Sequence, residues 1–160
     1  MKSIVILDLD GTLADGRHRL HLLPKKDSHL TKSWVEFNLA AGEDAPFEDN
    51  INLARALYRA GYKCIILTGR SAIARDITVK WLADHGVLYD DLIMRGIYDD
   101  RKDTVIKEEY LRAIGLDNIL CCFDDLPQVA YHLRSIGLTC HLVTHYNEVR
   151  TDLVSHGSTV

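Results

Sequence analysis

Five short apolar runs, rich in β-branched residues, recur along the chain and predict five strands. They are SIVILDL (3–9), KCIILTG (63–69), LIMR (92–95), NILCCFDD (118–125) and LTCHLV (138–143). Runs that are apolar on both faces are typical of strands in a parallel sheet that helices cover on each side. The pattern therefore favours a sheet whose two faces are both buried.

The segments between these runs have apolar residues at helical spacing. They predict helices over 33–39, 50–60, 71–85, 103–114 and 127–136. Most of these segments end at a glycine, which commonly terminates helices. Strands that alternate with helices predict right-handed βαβ units. The expected fold is therefore three-layer, Rossmann-like α/β, with a parallel sheet of about five strands and helices on both faces. Such sheets bind ligands at the carboxyl ends of their strands.

Length and composition favour one domain over 1–160, with a frayed polar tail over about 147–160. The apolar share of 47% is too high for a disordered chain. No apolar run is long enough for a membrane helix, and the N-terminus does not resemble a signal peptide. The four cysteines lack metal-binding spacing and are typical of reduced thiols. These features predict a cytoplasmic protein without membrane contact.

Polar side chains follow three of the predicted strands where each strand ends. They are Asp8 and Asp10 after the first, Thr68, Gly69 and Arg70 after the second, and Asp124 and Asp125 after the fourth. Lys107 lies one turn into the helix that is predicted to begin at Asp103. Because the carboxyl ends of parallel strands share one edge of a sheet, these groups are expected to converge.

The residue types at this edge favour phosphoryl chemistry. Asp8 and Asp10 point to the same face of an extended strand, and neighbouring carboxylates call for a cation. Together with Asp124 and Asp125 they form an oxygen-rich cluster suited to Mg²⁺. One carboxylate could attack phosphorus, while the other protonates the leaving oxygen and then activates water. Hydroxyl and ammonium groups nearby could hold the phosphoryl group.

Four short motifs, in this order along the chain, resemble those of the haloacid dehalogenase superfamily. They are DLDGT (8–12), LTGR (67–70), Lys107 and FDD (123–125). The resemblance implies that Asp8 is the nucleophile and Asp10 the general acid and base, with Thr68 and Lys107 binding the phosphoryl group. The Mg²⁺ ligands it implies are Asp8, the main-chain carbonyl of Asp10, Asp124 and Asp125. The second aspartate of DLDGT favours phosphatases over dehalogenases.

A second resemblance covers most of the chain. RKDTVIKEEYL (101–111), FDDLPQV (123–129) and LRSIG (133–137) are similar to the 3′-phosphatase domain of bacteriophage-type polynucleotide kinase/phosphatases. The substrate-binding residues that this resemblance implies are Gly69, Arg70, Asp103 and one of Arg17 and Arg19. The GxxxxGK[ST] loop of a kinase is absent from the sequence, which predicts a stand-alone phosphatase, in the host cytoplasm if a phage encodes it.

Residues 15–48 are too few for a separate cap domain and predict a short helical flap, which leaves room for a nucleic-acid end. Five Lys or Arg and one Asp lie within 16–33, a basic segment that could hold backbone phosphates. Trp34 and Phe37, at helical spacing, are expected in the core, with stacking on a base as the alternative. Arg95 and Arg101 are further candidates for substrate contact.

The sequence therefore predicts a Mg²⁺-dependent polynucleotide 3′-phosphatase. The alternative is a nucleoside monophosphate phosphatase, because both would use the same residues. A phospho-accepting receiver module fits less well, since the third predicted strand ends in MRG without an aspartate. A non-catalytic binding protein also fits less well, because every acidic residue of the motifs is present. The choice between DNA and RNA and the oligomeric state stay open.

Overall fold

The computed structural model describes residues 1–143, so the predicted tail over 147–160 lies outside the described residues. The strands are β1 (Ile4–Leu7), β2 (Ala14–Asp15), β3 (Ala45–Pro46), β4 (Lys63–Ser71), β5 (Asp91–Arg95), β6 (Ile119–Asp124) and β7 (Cys140–Leu142). The helices are α1 (Val35–Leu39), α2 (Glu48–Arg59), α3 (Arg75–Asp84), α4 (Asp103–Ile114) and α5 (Pro127–Ser135).

Five of the strands form one parallel sheet in the order β5-β4-β1-β6-β7, which confirms the predicted fold class. The chain proceeds from β1 outward through β4 to β5 and then returns to β6 on the other side of β1. Leu7, the last residue of β1, is in register with Ile66 of β4 and Phe123 of β6. The strand order thus reverses around β1, where an open sheet of this type forms a crevice for ligands.

Helices cover both faces of the sheet, as the apolar runs predicted. On one face, Ile51 of α2 and Leu82 of α3 pack with the sheet in a buried cluster. On the other face, Leu111 of α4 and Leu133 of α5 do the same. Alternate side chains of a strand point to opposite faces, so the central strands contribute to both clusters.

The helix predicted to begin at Ser71 begins four residues later. Ser71 is the last residue of β4, where it is in register with Arg95 of β5. Its Oγ accepts a hydrogen bond from the backbone N of Ile73 and so caps a 3₁₀ turn, Ala72–Ala74, rather than the α-helix. Sheet pairing therefore extends β4 past the residue that looks like a helix cap.

The segment that links β2 and β3, residues 17–43, is called the flap. It contains α1 and three 3₁₀ turns, Arg17–Leu22, Thr31–Trp34 and Ala40–Glu43, and its two ends are joined by antiparallel pairing of β2 with β3. At its far side Thr31 donates hydrogen bonds to the Asp99 carbonyl and, over 2.6 Å, from its backbone N to Asp100 Oδ1. The flap is thereby held against the loop before α4.

All four cysteines are buried as free thiols. Burial, the main cause, raises the pKa of Cys64 to about 11 and that of Cys122 further, so these thiols stay protonated at neutral pH. Within residues 1–143, no helix combines the length and the apolar character that crossing a bilayer requires.

Substitution of Leu82 tests the packing of α3. Leu82 is fully buried, so Leu82→Ala should lower the free energy of unfolding by about 2–5 kcal/mol through lost burial and the cavity left behind. Val79, on the exposed side of the same helix, supplies the control, because Val79→Ala should change stability little. Urea unfolding would measure both, and equal losses in the two variants would contradict this packing.

Candidate active site

Four elements bring the polar residues to one edge of the sheet. Asp8 follows β1, Thr68 lies in the last part of β4, Asp124 ends β6, and Lys107 extends from α4. All four side chains are buried, with at most 8% of any of them exposed. Their convergence follows from the parallel strand order, which places the ends of β4, β1 and β6 side by side.

Two carboxylates bind one ammonium group, and a third carboxylate lies beside them. Lys107 Nζ lies 3.0 Å from Asp8 Oδ1 and 2.6 Å from Asp124 Oδ2. Oxygens of Asp8, Asp124 and Asp125 all lie within 4.8 Å of one another. Three carboxylates around one lysine leave negative charge in excess, and the donors are all oxygen atoms. This cluster could therefore hold a divalent cation.

Burial and the neighbouring carboxylates act together on the pKa of the nucleophile candidate. Burial and then the Asp124 carboxylate raise the pKa of Asp8 well above its usual range, and Lys107 opposes them. Burial alone would lower the pKa of Lys107, but Asp124 and Asp8 raise it well above its usual value, so the lysine stays cationic. A second positive charge beside Asp8 would favour its ionised form.

Asp10 lies in the opposite electrostatic environment. Its Oδ1 accepts hydrogen bonds from Arg19 Nη2 and from Arg70 Nη2, each over 2.6 Å. Burial would raise the pKa of Asp10, but Arg70 and Arg19 together hold it well below its usual range. Two carboxylates that are two residues apart thus have pKa values shifted in opposite directions, an arrangement typical of residues that play different roles in catalysis.

Asp44, a residue that the sequence analysis missed, holds both arginines in place. Its fully buried carboxylate accepts hydrogen bonds of 2.8 Å from Arg19 Nε and Nη2, and Arg70 Nη2 lies 3.5 Å away. Its carbonyl accepts from Trp81 Nε1. Asp44 lies 25 residues from Arg19 in a segment without a recognisable motif, so no local signal could have identified it.

Close backbone approaches at Gly11 and Gly69 shape the floor of the site. Gly11 has a φ of +80°, and a side chain there would overlap the Asp125 carboxylate. A side chain at Gly69 would overlap the carboxylate of Asp103, which Arg95 Nη2 binds over 2.5 Å. Both positions therefore need glycine, the first for its backbone conformation as well as for space.

Arg95 stabilises the loop before α4 through hydrogen bonds to its backbone. Its guanidinium is fully buried and donates to the carbonyl oxygens of Gly69, Asp99 and Arg101. Arg95, which the sequence offers as a candidate for substrate contact, is instead surrounded by protein acceptors. Arg101, the other candidate, is half exposed and paired with Asp99 and Glu109.

These groups open into one pocket of about 120 Å³. The sequence-predicted residues that line it are Asp8, Asp10, Arg17, Arg19, Thr68, Gly69, Arg70, Asp103, Lys107 and Asp125. Asp124 lies behind Lys107, outside this lining. The two flap arginines differ, since Arg19 is buried against Asp10, whereas Arg17 is half exposed and binds Asp15. Trp34 and Phe37 are buried, and both also face the pocket.

The chain is similar to known proteins in sequence and in structure. The family described as "Polynucleotide kinase PNKP phosphatase domain" matches residues 2–147. No curated protein matches the sequence significantly. Among solved structures, a chain of the "Pnkp1/Rnl/Hen1 RNA repair complex" is 30% identical with a TM-score of 0.71, over 91% of this chain and 43% of that one.

Two further structures extend the comparison. A chain from a second structure of a "Pnkp1/Rnl/Hen1 complex" is 29% identical with a TM-score of 0.72, over 92% of this chain and 48% of that one. The present chain thus spans less than half the length of both. A haloacid dehalogenase-like hydrolase from Streptococcus pneumoniae, 17% identical with a TM-score of 0.63 over 95% and 90% of the two chains, shares the fold.

Removal of the Asp44 charge tests the arginine cluster. Asp44→Asn preserves the shape of the side chain but leaves two buried guanidinium groups with Asp10 alone, so unfolding free energy should fall by about 3–5 kcal/mol. Asp84→Asn is the matched control, because Asp84 pairs with Lys80 on the surface and its loss should be barely measurable. Denaturant unfolding would measure the free energy of unfolding of both variants. Similar small losses in the two would contradict a structural role for Asp44.

Proposed function

Because the chain belongs to the family of polynucleotide kinase PNKP phosphatase domains, we propose that it removes 3′-phosphates from polynucleotide ends with the help of Mg²⁺. Its class is that of the haloacid dehalogenase phosphatases. The observation that carries the proposal is the contrast between two carboxylates in one pocket. Asp8 lies beside Lys107, and Asp10 lies between two arginines.

In the first half of the reaction, an oxygen of Asp8 attacks phosphorus. The bond between phosphorus and the sugar oxygen breaks, its electron pair stays on that oxygen, and Asp10 supplies the proton. The negative charge of a bound phosphate opposes ionisation of nearby carboxylates, so substrate binding favours the protonated form of Asp10. The product of this step is an aspartyl-phosphate on Asp8.

In the second half, water replaces the aspartate. Asp10, now ionised and held by Arg19 and Arg70, accepts a proton from a water molecule whose oxygen attacks phosphorus. The bond between phosphorus and Asp8 breaks, and phosphate leaves. Throughout, the Thr68 hydroxyl and the Lys107 ammonium bind phosphoryl oxygens and stabilise their charge.

The acidic cluster fits Mg²⁺ because its donors are oxygens and its charge exceeds that of Lys107. We assign Asp8, Asp124, Asp125 and the main-chain carbonyl of Asp10 as ligands. The ion would supply positive charge to the phosphoryl oxygens and to the attacking carboxylate. Burial raises the pKa of Asp8, and a cation at this site would favour the ionised carboxylate that attacks phosphorus.

A polynucleotide substrate is supported by the surface of the flap. Lys25, Lys26 and Lys32 are exposed there and could bind backbone phosphates beyond the terminal nucleotide. The structure with 30% identity belongs to an assembly described as an RNA repair complex. Both flap arginines, Arg17 and Arg19, line the pocket, and one of them is proposed to bind the substrate together with Gly69, Arg70 and Asp103.

Hydrolysis of nucleoside monophosphates is the second candidate. The observation in its favour is the hydrogen bonding of Thr31 to Asp99 and Asp100, which fixes the flap against the loop before α4. A flap that is held in place beside the pocket would favour a small substrate such as one nucleotide.

Phosphate release from matched substrates distinguishes the two candidates. With Mg²⁺, we expect faster release from a 3′-phosphorylated oligonucleotide than from its 5′-phosphorylated isomer or from nucleoside 3′- and 5′-monophosphates. EDTA should abolish release, and Asp8→Asn should reduce it to background while the protein stays folded. Preference for mononucleotides would favour the second candidate, and retained activity in Asp8→Asn would remove Asp8 from the role of nucleophile.

The metal site can be tested by stability alone. The raised folded-state pKa of Asp8 contributes stability below its unfolded value of about 3.9, and that contribution is lost as pH rises through the folded-state pKa. Since Mg²⁺ binds ionised carboxylates, its stabilisation should grow with pH, to about 2.7 kcal/mol at a hundredfold excess over Kd.

Thermal unfolding at pH 5 and pH 8, with and without Mg²⁺, would measure this effect. Asp124→Asn should lose most of the stabilisation by Mg²⁺, whereas Asp117→Asn, on the exposed turn Leu116–Asn118, should retain it. An equal Mg²⁺ effect in both variants would place the ion elsewhere.

A further inference from the structure

Asn38 carries a buried polar atom that no protein group satisfies. Its side-chain Nδ2 has no hydrogen-bond partner, the one such atom found among buried side chains of residues 1–143. The residue lies in α1 and is 2% exposed. A buried amide without a partner costs about 1–3 kcal/mol, so its presence calls for an explanation.

Asn38 belongs to the pocket in which the reaction is proposed to occur. Asn38 lines the same pocket as Asp8 and Asp10. Arg19 links the two regions, since its Nη2 binds Asp10 and its Nη1 donates to the carbonyl of Phe37, the residue before Asn38, over 3.0 Å. Because Asp10 is proposed to protonate the leaving oxygen, Asn38 lies on the side of the leaving group.

Part of the pocket wall is apolar. Trp34 and Phe37 pack edge to face with ring centroids 5.7 Å apart, and both line the pocket together with Leu20. The Arg19 guanidinium covers the Phe37 ring at 4.1 Å, and it is already bound to carboxylates. The ligand group that meets Asn38 is therefore one with apolar C–H surfaces and a hydrogen-bonding substituent, which describes a sugar.

An amide matches one substituent of that sugar well. The carboxamide offers a donor and an acceptor, which a half-turn of the side chain exchanges, and a hydroxyl can both donate and accept. In a nucleotide with a 3′-phosphate, the hydroxyl next to the reacting group is the 2′-OH. Deoxyribose lacks it, and the 2′-OH is the group by which proteins distinguish RNA from DNA at a given site.

We propose that Asn38 binds the 2′-hydroxyl of the 3′-terminal nucleotide and makes the pocket selective for ribonucleotide ends. This inference rests on the proposed function, since it concerns the sugar that carries the phosphate. A deoxyribose end leaves the Asn38 amide unsatisfied in the closed complex, as in the free protein. A site with a polar group for a substrate hydroxyl discriminates against the analogue that lacks it.

The test uses two 3′-phosphorylated oligoribonucleotides that are identical except for a single 2′-deoxy substitution in the terminal nucleotide. The ratio of their kcat/KM values for the wild-type protein should be about 10–100 in favour of ribose. In Asn38→Leu, which has a similar volume and no hydrogen-bonding group, the ratio should approach one. Asn52→Leu, an exposed substitution on α2, should keep the wild-type ratio.

Stability measurements separate recognition from folding. Asn38→Leu removes an unsatisfied buried amide, so its unfolding free energy should equal or exceed that of the wild type. A wild-type ratio near one, or a parallel loss on both oligomers in Asn38→Leu, would overturn the role of Asn38.

The same comparison with ribonucleoside and deoxyribonucleoside 3′-monophosphates keeps this inference distinct from the proposed function. Ribose selectivity seen with mononucleotides alone would overturn the polynucleotide substrate and support the role of Asn38. Turnover of oligomers without ribose selectivity would support the polynucleotide substrate and overturn the role of Asn38. Turnover of neither class would overturn both.

Discussion

The balance of charge at the carboxyl edge of the sheet determines what this site can do. Lys107 binds Asp8 and Asp124, and an oxygen of Asp125 lies within 4.8 Å of oxygens of both, so a divalent cation would offset the excess of negative charge in this cluster. The sheet imposes this crowding, because Asp8 follows β1 and Asp124 ends β6, the strand beside β1. Such a buried cluster is offset either by protonation of a carboxylate, which the raised pKa of Asp8 favours, or by a bound cation.

The cluster around Asp10 lies beside this one and differs from it in the balance of its charges. Arg19 and Arg70 face Asp10 and Asp44, so the two positive and two negative charges balance within the protein. Arg70 lies in β4, Arg19 in the flap, Asp10 after β1 and Asp44 just after the flap, and their ion pairs attach the flap to the sheet. We expect the balanced cluster to position Asp10 and the flap, and the unbalanced one beside it to bind the proposed cation and phosphate.

The sequence predicted those features of the protein that depend on local pattern. The strands and the acidic residues that follow them could be located, because an apolar run and the polar residue that ends it are adjacent in the chain. Asp44 could not, since its importance arises from contacts with Arg19 and Arg70 across 25 and 26 residues. The start of α3 was placed too early, because the pairing of Ser71 with β5 depends on a distant strand.

Trp34 and Phe37 illustrate a further limit. Helical spacing predicted correctly that both are buried, but not that they also form a wall of the pocket, because spacing does not indicate what lies opposite a helix face. The flap consists of 3₁₀ turns around a five-residue helix, so the direction of each side chain depends on the turns before it. The place of Asn38 in the pocket lining follows from this irregular backbone and has no signature in the sequence.

Reaction and recognition thus use parts of the chain with different structural constraints. The reacting groups extend from strand ends and from α4, where hydrogen bonding in the sheet and core packing fix their positions. The leaving group is proposed to meet the flap, where a leucine at position 38 would carry no unsatisfied hydrogen-bonding group. An asparagine there lowers the stability of the free protein, and it is favourable overall only if a ligand satisfies its amide. The choice of substrate is therefore expected to depend on the flap, while the chemistry depends on the sheet.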